Sequence, residues 1–126
     1  MNPDFIAAYF NLGAVLQLLN RLEAAEASYR AAIKLAPDYA KAHNNLGNVL
    51  QALGRLEEAE SSYRIALGWK PDYAEAHSIL GNTLQELDML EPAEISYIAA
   101  VKFAPDFADA YSNLSLILEK LGQSQE

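Results

Sequence analysis

Along this chain apolar residues recur every three or four positions, and that pattern itself recurs every 34 residues. In four stretches it reads Tyr9, Leu12, Leu16, Leu19; His43, Leu46, Val49, Leu50, Leu53; His77, Leu80, Leu84, Leu87; and Tyr111, Leu114, Leu118, Leu121. Spacing of this kind places one buried stripe on a helix of about 14 residues. Three further stretches begin at Leu22, Leu56 and Leu90. Their stripes are Ala25, Tyr29, Ala32, Ile33; Ala59, Tyr63, Ala66, Leu67; and Ala93, Tyr97, Ala100, Val101. The pattern predicts seven helices.

Each unit opens with proline, aspartate and an aromatic: Pro3-Asp4-Phe5, Pro37-Asp38-Tyr39, Pro71-Asp72-Tyr73 and Pro105-Asp106-Phe107. Proline lacks an N–H and disfavours helical geometry in the residue before it, so it stops the preceding helix. The aspartate is expected to cap the next one, with Asp72 and Glu75 at capping-box spacing. Breaks inside the units are expected at Asn20, Gly54, Asp88 and Gly122, residue types that tolerate helix ends and tight turns. Pro92 lies inside the sixth helix. With Asp88 as cap it falls in the first turn, where N–H groups have no intrahelical partner. Gly13, Gly47 and Gly81, with Ala25, Ala59 and Ala93, allow paired helices to approach closely, and Tyr29, Tyr63 and Tyr97 fill the gap beyond.

This period and this wording resemble the tetratricopeptide repeat, whose pattern is Trp-x2-Leu-Gly-x2-Tyr, Ala-x3-Phe, Pro. Here it reads His43, Leu46, Gly47, Leu50, Ala59, Tyr63, Pro71, and twice more with Tyr9 or His77 leading; Ser115 replaces the glycine of the fourth copy. The resemblance implies an all-α fold, a right-handed α-solenoid of seven helices in helix-turn-helix repeats. It implies a single domain over 1–126, with repeats at about 3–36, 37–70 and 71–104, a half repeat or terminal helix over 105–122, and a tail at 123–126.

Composition narrows the function. With 52% hydrophobic and 21% charged residues the chain has the make-up of a folded domain, so disorder is not expected. It has no cysteine, which removes disulfides, thiolate metal sites and thiol catalysis and agrees with a cytoplasmic setting. The net charge of −8 lies wholly in residues 71–126, where ten acids face only Lys102 and Lys120. A phosphate backbone would be repelled there, so nucleic acid is not an expected partner. No stretch approaches the ~18 uninterrupted apolar residues of a membrane span, and the start lacks the basic region of a signal peptide. Membrane insertion is not expected.

Candidate chemistry is sparse. His43 and His77 occupy the slot held by Tyr9 and Tyr111 in the other copies, so they read as packing residues and not as metal ligands. Glu57 and Glu58 read as solvated surface. No nucleophile–base constellation or phosphate loop is present, so no catalytic residue, metal or cofactor is expected. Trp69, with Leu35 and Phe103 at matching positions, is expected to pack into the joint between repeats.

The remaining positions of the first helices would line a concave face shared by stacked repeats. They are rich in amides: Asn11, Asn45 and Asn113 in one slot, Asn48 and Asn82 in another, Gln17, Gln51 and Gln85 in a third. An amide offers both donor and acceptor to a peptide backbone, and asparagine is a poor helix former, so its repetition at one register asks for a reason. With Lys41, Asn44 and Glu75 these residues form the candidate peptide-binding face, and their loss is expected to weaken binding without affecting the fold. The wording resembles the repeat arm of O-linked N-acetylglucosamine transferases, which implies that Asn11, Asn45 and Asn113 receive an extended peptide; Ile79 interrupts the ladder. A two-carboxylate clamp, another use within the family, is not supported, because only Asn45 matches while Phe10, Ala14, Glu75 and Ile79 hold the other places. The function expected is a protein-interaction scaffold for an extended peptide. The alternatives are a self-associating module, a homo-oligomer joined at the repeat ends through Phe10, Leu18, Leu116 and Ile117, or a substrate-recognition arm of a larger glycosyltransferase-like protein.

Overall fold

A computed structural model describes residues 2–124 of the chain. Its described residues form seven α-helices: α1 (Pro3–Leu18), α2 (Leu22–Leu35), α3 (Ala40–Ala52), α4 (Leu56–Trp69), α5 (Ala74–Glu86), α6 (Leu90–Phe103) and α7 (Ala108–Ser124). The backbone divides into two compact units, Met1–Pro71 with α1 to α4 and Asp72–Glu126 with α5 to α7. That boundary falls where the third 34-residue copy begins.

Within each unit a first helix packs on the second helix that follows it, and the joint is glycine against tyrosine. Tyr29, Tyr63 and Tyr97 are fully buried. A Cβ added at Gly13, Gly47 or Gly81 would lie 2.8, 2.6 or 2.6 Å from the ring of its tyrosine. The ring therefore rests directly on the glycine backbone, with Ala25, Ala59 and Ala93 buried beside it.

The turns between paired helices follow one design. Asn20, Gly54 and Asp88 have φ of 59°, 78° and 61°, the left-handed region. The next N–H reaches back to the helix, Arg21 to the Leu16 carbonyl at 2.8 Å, Arg55 to Leu50 at 2.9 Å and Met89 to Leu84 at 2.8 Å. This is the Schellman closure, which satisfies carbonyls that a helix end leaves open. The second helices begin at Leu22, Leu56 and Leu90, as the periodicity predicts.

Other local expectations fail. Asp38 and Asp72 are not caps: α3 and α5 have Tyr39 and Tyr73 at the N-cap, with no side-chain cap bond. Proline is the reason. Pro37 and Asp38 are the central residues of a turn closed by Tyr39 N–H to the Ala36 carbonyl at 3.1 Å, and Pro105-Asp106 make the same turn, Phe107 N–H to Ala104 at 3.0 Å. At α1 the cap is Asn2, whose Oδ1 accepts from Asp4 N–H at 2.9 Å, and Pro3 is the first helical residue. Met89, not Asp88, caps α6, although Pro92 does fall in its first turn. Gly122 ends nothing, since α7 continues to Ser124; a glycine weakens a helix by about 1 kcal/mol without forcing a stop. Residues 123 and 124 of the expected tail are thus helical, and 125–126 lie outside the described residues.

The stripe expected on α1 is also misplaced. Its buried residues are Phe10 and Gly13, whereas Tyr9, Leu12 and Leu19 are exposed. In the same unit α3 is packed by both α2 and α4, while α1 has α2 and only slight contact with α3. On α7, Ala110 and Ile117 are buried and Tyr111 and Leu118 exposed. Trp69, expected to be packed, is 57% exposed. Among the described residues no helix is long and apolar enough to cross a membrane.

Candidate functional site

The amides of the first helices are tied to the buried tyrosines. In the first unit Tyr29 donates its hydroxyl hydrogen to Gln17 Oε1 at 2.8 Å, and Asn45 Nδ2 donates to the Tyr29 oxygen at 3.4 Å. Tyr63 donates to Asn48 Oδ1 at 2.6 Å, with Gln51 Oε1 at 3.2 Å. The second unit repeats the arrangement. Tyr97 donates to Asn82 Oδ1 at 2.5 Å with Gln85 Oε1 at 3.2 Å, and Asn113 Nδ2 donates to the same Asn82 oxygen at 3.2 Å.

The chemistry behind this is forced. A tyrosine ring seated on glycine carries its hydroxyl along that face of the first helix toward the helix's last turn, where burial without a partner would cost about 1–3 kcal/mol. Amides at the end of that helix are the partners. Burial also favours the neutral phenol: Tyr97 is pushed up to about 12 and Tyr63 is raised as well. Burial raises Tyr29 too, with the Asn45 hydrogen bond acting against it. These amides are therefore fold residues as well as surface residues. With its oxygen held by a phenol, an amide such as Asn48 or Asn82 presents N–H groups, donors suited to a carbonyl.

The other candidate residues are spread more widely. Asn11, Lys41 and Glu75 are exposed. Asn44 is not on an open face: it is 2% exposed, and its Oδ1 has no hydrogen-bond partner. Its neighbour His43 is buried, its Nε2 2.8 Å from the Pro37 carbonyl, while half-buried His77 stacks on Phe103 with centroids 5.7 Å apart. Phe10 and Ile117 are buried and unavailable for association, because each faces into its own unit's packing; Leu18, 87% exposed, and Leu116 remain on the surface. Phe10 packs on Tyr29 and Tyr39, with ring centroids 5.7 and 5.0 Å away.

In the second unit a cavity of about 370 Å³ opens beside these amides. Glu75, Ser78, Asn82, Phe107, Asp109 and Asn113 are among its walls. Among the described residues no group of three His, Cys, Asp or Glu is arranged to hold a metal.

Two repeat-family models match the chain, one described as TPR repeat over residues 18–54 and one as tetratricopeptide repeat over 40–73. Solved structures agree over nearly the whole length. The first TPR of Spaghetti (RPAP3), solved bound to the HSP90 peptide SRMEEVD, is 20% identical and covers 97% of each chain with a TM-score of 0.93. Residues 18–73 match tetratricopeptide-repeat models, and the chain has the tetratricopeptide-repeat fold. MamA is 21% identical, with 96% of this chain and 71% of that one covered and a TM-score of 0.90. The O-GlcNAc transferase of Thermobaculum terrenum is 27% identical over 92% of this chain, at a TM-score of 0.84; the chain spans 22% of that enzyme. No curated protein sequence matches.

Within this fold the surprise is the double use of the amides. Asn48 and Asn82 look like surface residues on a helical wheel, yet each anchors a phenol fifteen residues further on. The constant spacing of Tyr63 and Tyr97 from them, equal in two copies, was the available signal. The cavity was announced by another series, Phe10, Asn44, Ser78, Ser112, one slot whose side chain shrinks along the chain.

Proposed function

We propose that this chain is a binding scaffold whose first helices receive an extended segment of a partner protein, through amide N–H groups and not through a two-carboxylate clamp. The observation that carries this reading is that each unit holds amides of its first helices by a phenol, Gln17 and Asn48 in the first unit and Asn82 and Gln85 in the second. Groups already fixed in orientation lose little freedom on binding, so each backbone contact is stronger for it. Binding of a peptide by the similar RPAP3 repeat supports the same class of ligand. A cytoplasmic setting belongs to the proposal, on the absence of cysteine. The recognition-arm alternative rests on likeness to a minor part of the transferase, and nothing in the site is of catalytic type.

The test is an array of extended peptides probed with the purified chain, followed by mapping of the hits on a ¹⁵N-labelled sample. Asparagine and glutamine side-chain amides are visible directly. Shifts concentrated at Asn11, Asn45, Asn48 and Asn82 are expected. Hits that move only the outward residues of α2, α4 and α6 would refute the reading.

A second reading, self-association, is supported by the exposed apolar side of α1, with Phe5, Leu12, Val15, Leu18 and Leu19 in the open. Contiguous apolar surface of this kind marks a contact site. It predicts concentration-dependent light scattering that Leu18→Lys reduces; a constant monomer mass would remove it.

A further inference from the structure

One slot is built twice, and differently. Between α1 and α3 it is full: Phe10 stacks on Tyr39 at 5.0 Å, and the Lys41 ammonium lies 5.6 Å from the Phe10 ring centre. Ala7 stands one turn earlier on α1. Two copies further along, the equivalent residues of α5 and α7 are Ser78 for Phe10, Phe107 for Tyr39, Asp109 for Lys41 and Glu75 for Ala7. The plug has been removed and the cation replaced by two carboxylates. What remains is the cavity of about 370 Å³, walled by those four residues with Asn82 and Asn113.

The charged residues of that wall, Glu75 and Asp109, are both acidic. Neither Lys102 nor Lys120, the only lysine or arginine residues of 71–126, lines it, and Lys102 is placed over Phe103 instead. Ser78 is 3% exposed yet lines the cavity, and its hydroxyl has no hydrogen-bond partner among the described residues. The first unit shows what occupies such a slot when the chain supplies it: an apolar body against an aromatic ring, with an ammonium above. Arginine carries both in one side chain, an apolar stem and a planar cation that stacks on aromatic rings and forks onto carboxylates. Lysine offers the same charge as a point.

We infer that this cavity takes a basic side chain, arginine in preference to lysine, from the extended partner segment that the amide face binds. The inference rests on that reading and adds its specificity. The stem fills the volume that Phe10 fills in the first unit. The head lies against Phe107, between Glu75 and Asp109, with the Ser78 hydroxyl and the Asn113 amide oxygen as further acceptors. Binding of this kind weakens as salt is raised, since exposed charges are screened.

The experiment titrates the ¹⁵N-labelled full chain with capped Ser-Ala-Arg-Ala-Ser and with the same peptide carrying lysine, citrulline or glutamate at the centre. The arginine peptide is expected to shift Ser78, Phe107 and Asp109, and to bind at least about tenfold more tightly than the citrulline peptide, whose shape is the same without the charge. Glu75→Gln with Asp109→Asn removes that preference. Ser78→Phe, which restores the plug of the first unit, abolishes the shifts; Asp109→Lys does so by reversing the charge, with no ring placed in the cavity, and covers the case in which the phenylalanine disturbs folding. Equal binding of arginine and citrulline, or binding indifferent to Asp109→Lys, overturns the assignment. The same spectra report the side-chain amides of Asn11, Asn45 and Asn48. Shifts there with no preference for arginine leave the peptide face standing and reject only the cavity; no shift at either place with any peptide rejects both.

Discussion

The ring of Tyr63 rests on the backbone of Gly47, so closely that a methyl group there would meet it at 2.6 Å. Tyr63 has no space to retreat into, being fully buried. Gly47→Ala is therefore expected to destabilise the chain by about 1–3 kcal/mol, the usual cost of overpacking, even though alanine is the better helix former by about 1 kcal/mol. Urea unfolding measures it. Tyr63→Leu in the same chain should make the two costs less than additive, because the clash is with the ring. Full additivity would show that the ring is not what Gly47 accommodates.

The same tyrosine makes a surface amide a fold residue. Tyr63→Phe removes the hydrogen bond to Asn48 Oδ1 and is expected to cost about 1 kcal/mol. Asn48→Ala should lower the melting temperature too, against the sequence-based expectation that these amides matter to binding alone. Asn11→Ala, at an exposed amide, should leave melting unchanged. If Asn48→Ala melts like the parent chain, the phenol finds water instead and the amide is purely a surface group.

The residues that could be read ahead were those whose chemistry is local. Asn20, Gly54 and Asp88 announced the breaks because few residue types accept positive φ. Gly47 and Tyr63 announced their pairing by recurring together with Gly13 and Tyr29 and with Gly81 and Tyr97. What depended on neighbours was lost. Asp38 carries the right side chain for a cap, but Pro37 draws it into the middle of a turn one step too early. Phe10 and Leu12 differ by two positions on one helix, and only the placement of Tyr29 and Tyr39 decides which of them is buried. The amides fell between these cases, since their register was plain and their hydroxyl partners on the next helix were not.

Burial of the tyrosines gives the chain an alkaline limit. Tyr97 is pushed up to about 12, above the value of about 10 that an unfolded tyrosine has. A group raised on folding contributes stability that is fully present below the unfolded value and is lost as pH rises through the folded one. Stability should thus fall between about pH 10 and 12, and the fall should be shallower in Tyr97→Phe. Phenolate absorbance of the buried tyrosines should appear together with loss of helical circular dichroism. Complete ionisation of every tyrosine with helicity intact would contradict this burial.

At the acid end the group to watch is Glu26, on α2. Burial alone would raise it, but hydrogen bonds from Arg55 at 2.8 Å and Arg30, with its charge, hold it below the ordinary carboxylate value. Arg55 also bonds Glu58, so one guanidinium at the start of α4 joins a carboxylate of its own first turn to one on α2. A group lowered on folding contributes stability that is present above its unfolded value and is lost as pH falls through the folded one. Arg55→Gln should therefore lower the melting temperature at neutral pH and lose its effect at a pH below both values, where Glu26 is protonated in either state. The variant is compared with the parent chain by thermal unfolding across that range in low salt, where screening is least. A deficit of equal size at both ends of the range would mean that Arg55 acts through packing of its stem and that the link to Glu26 adds nothing.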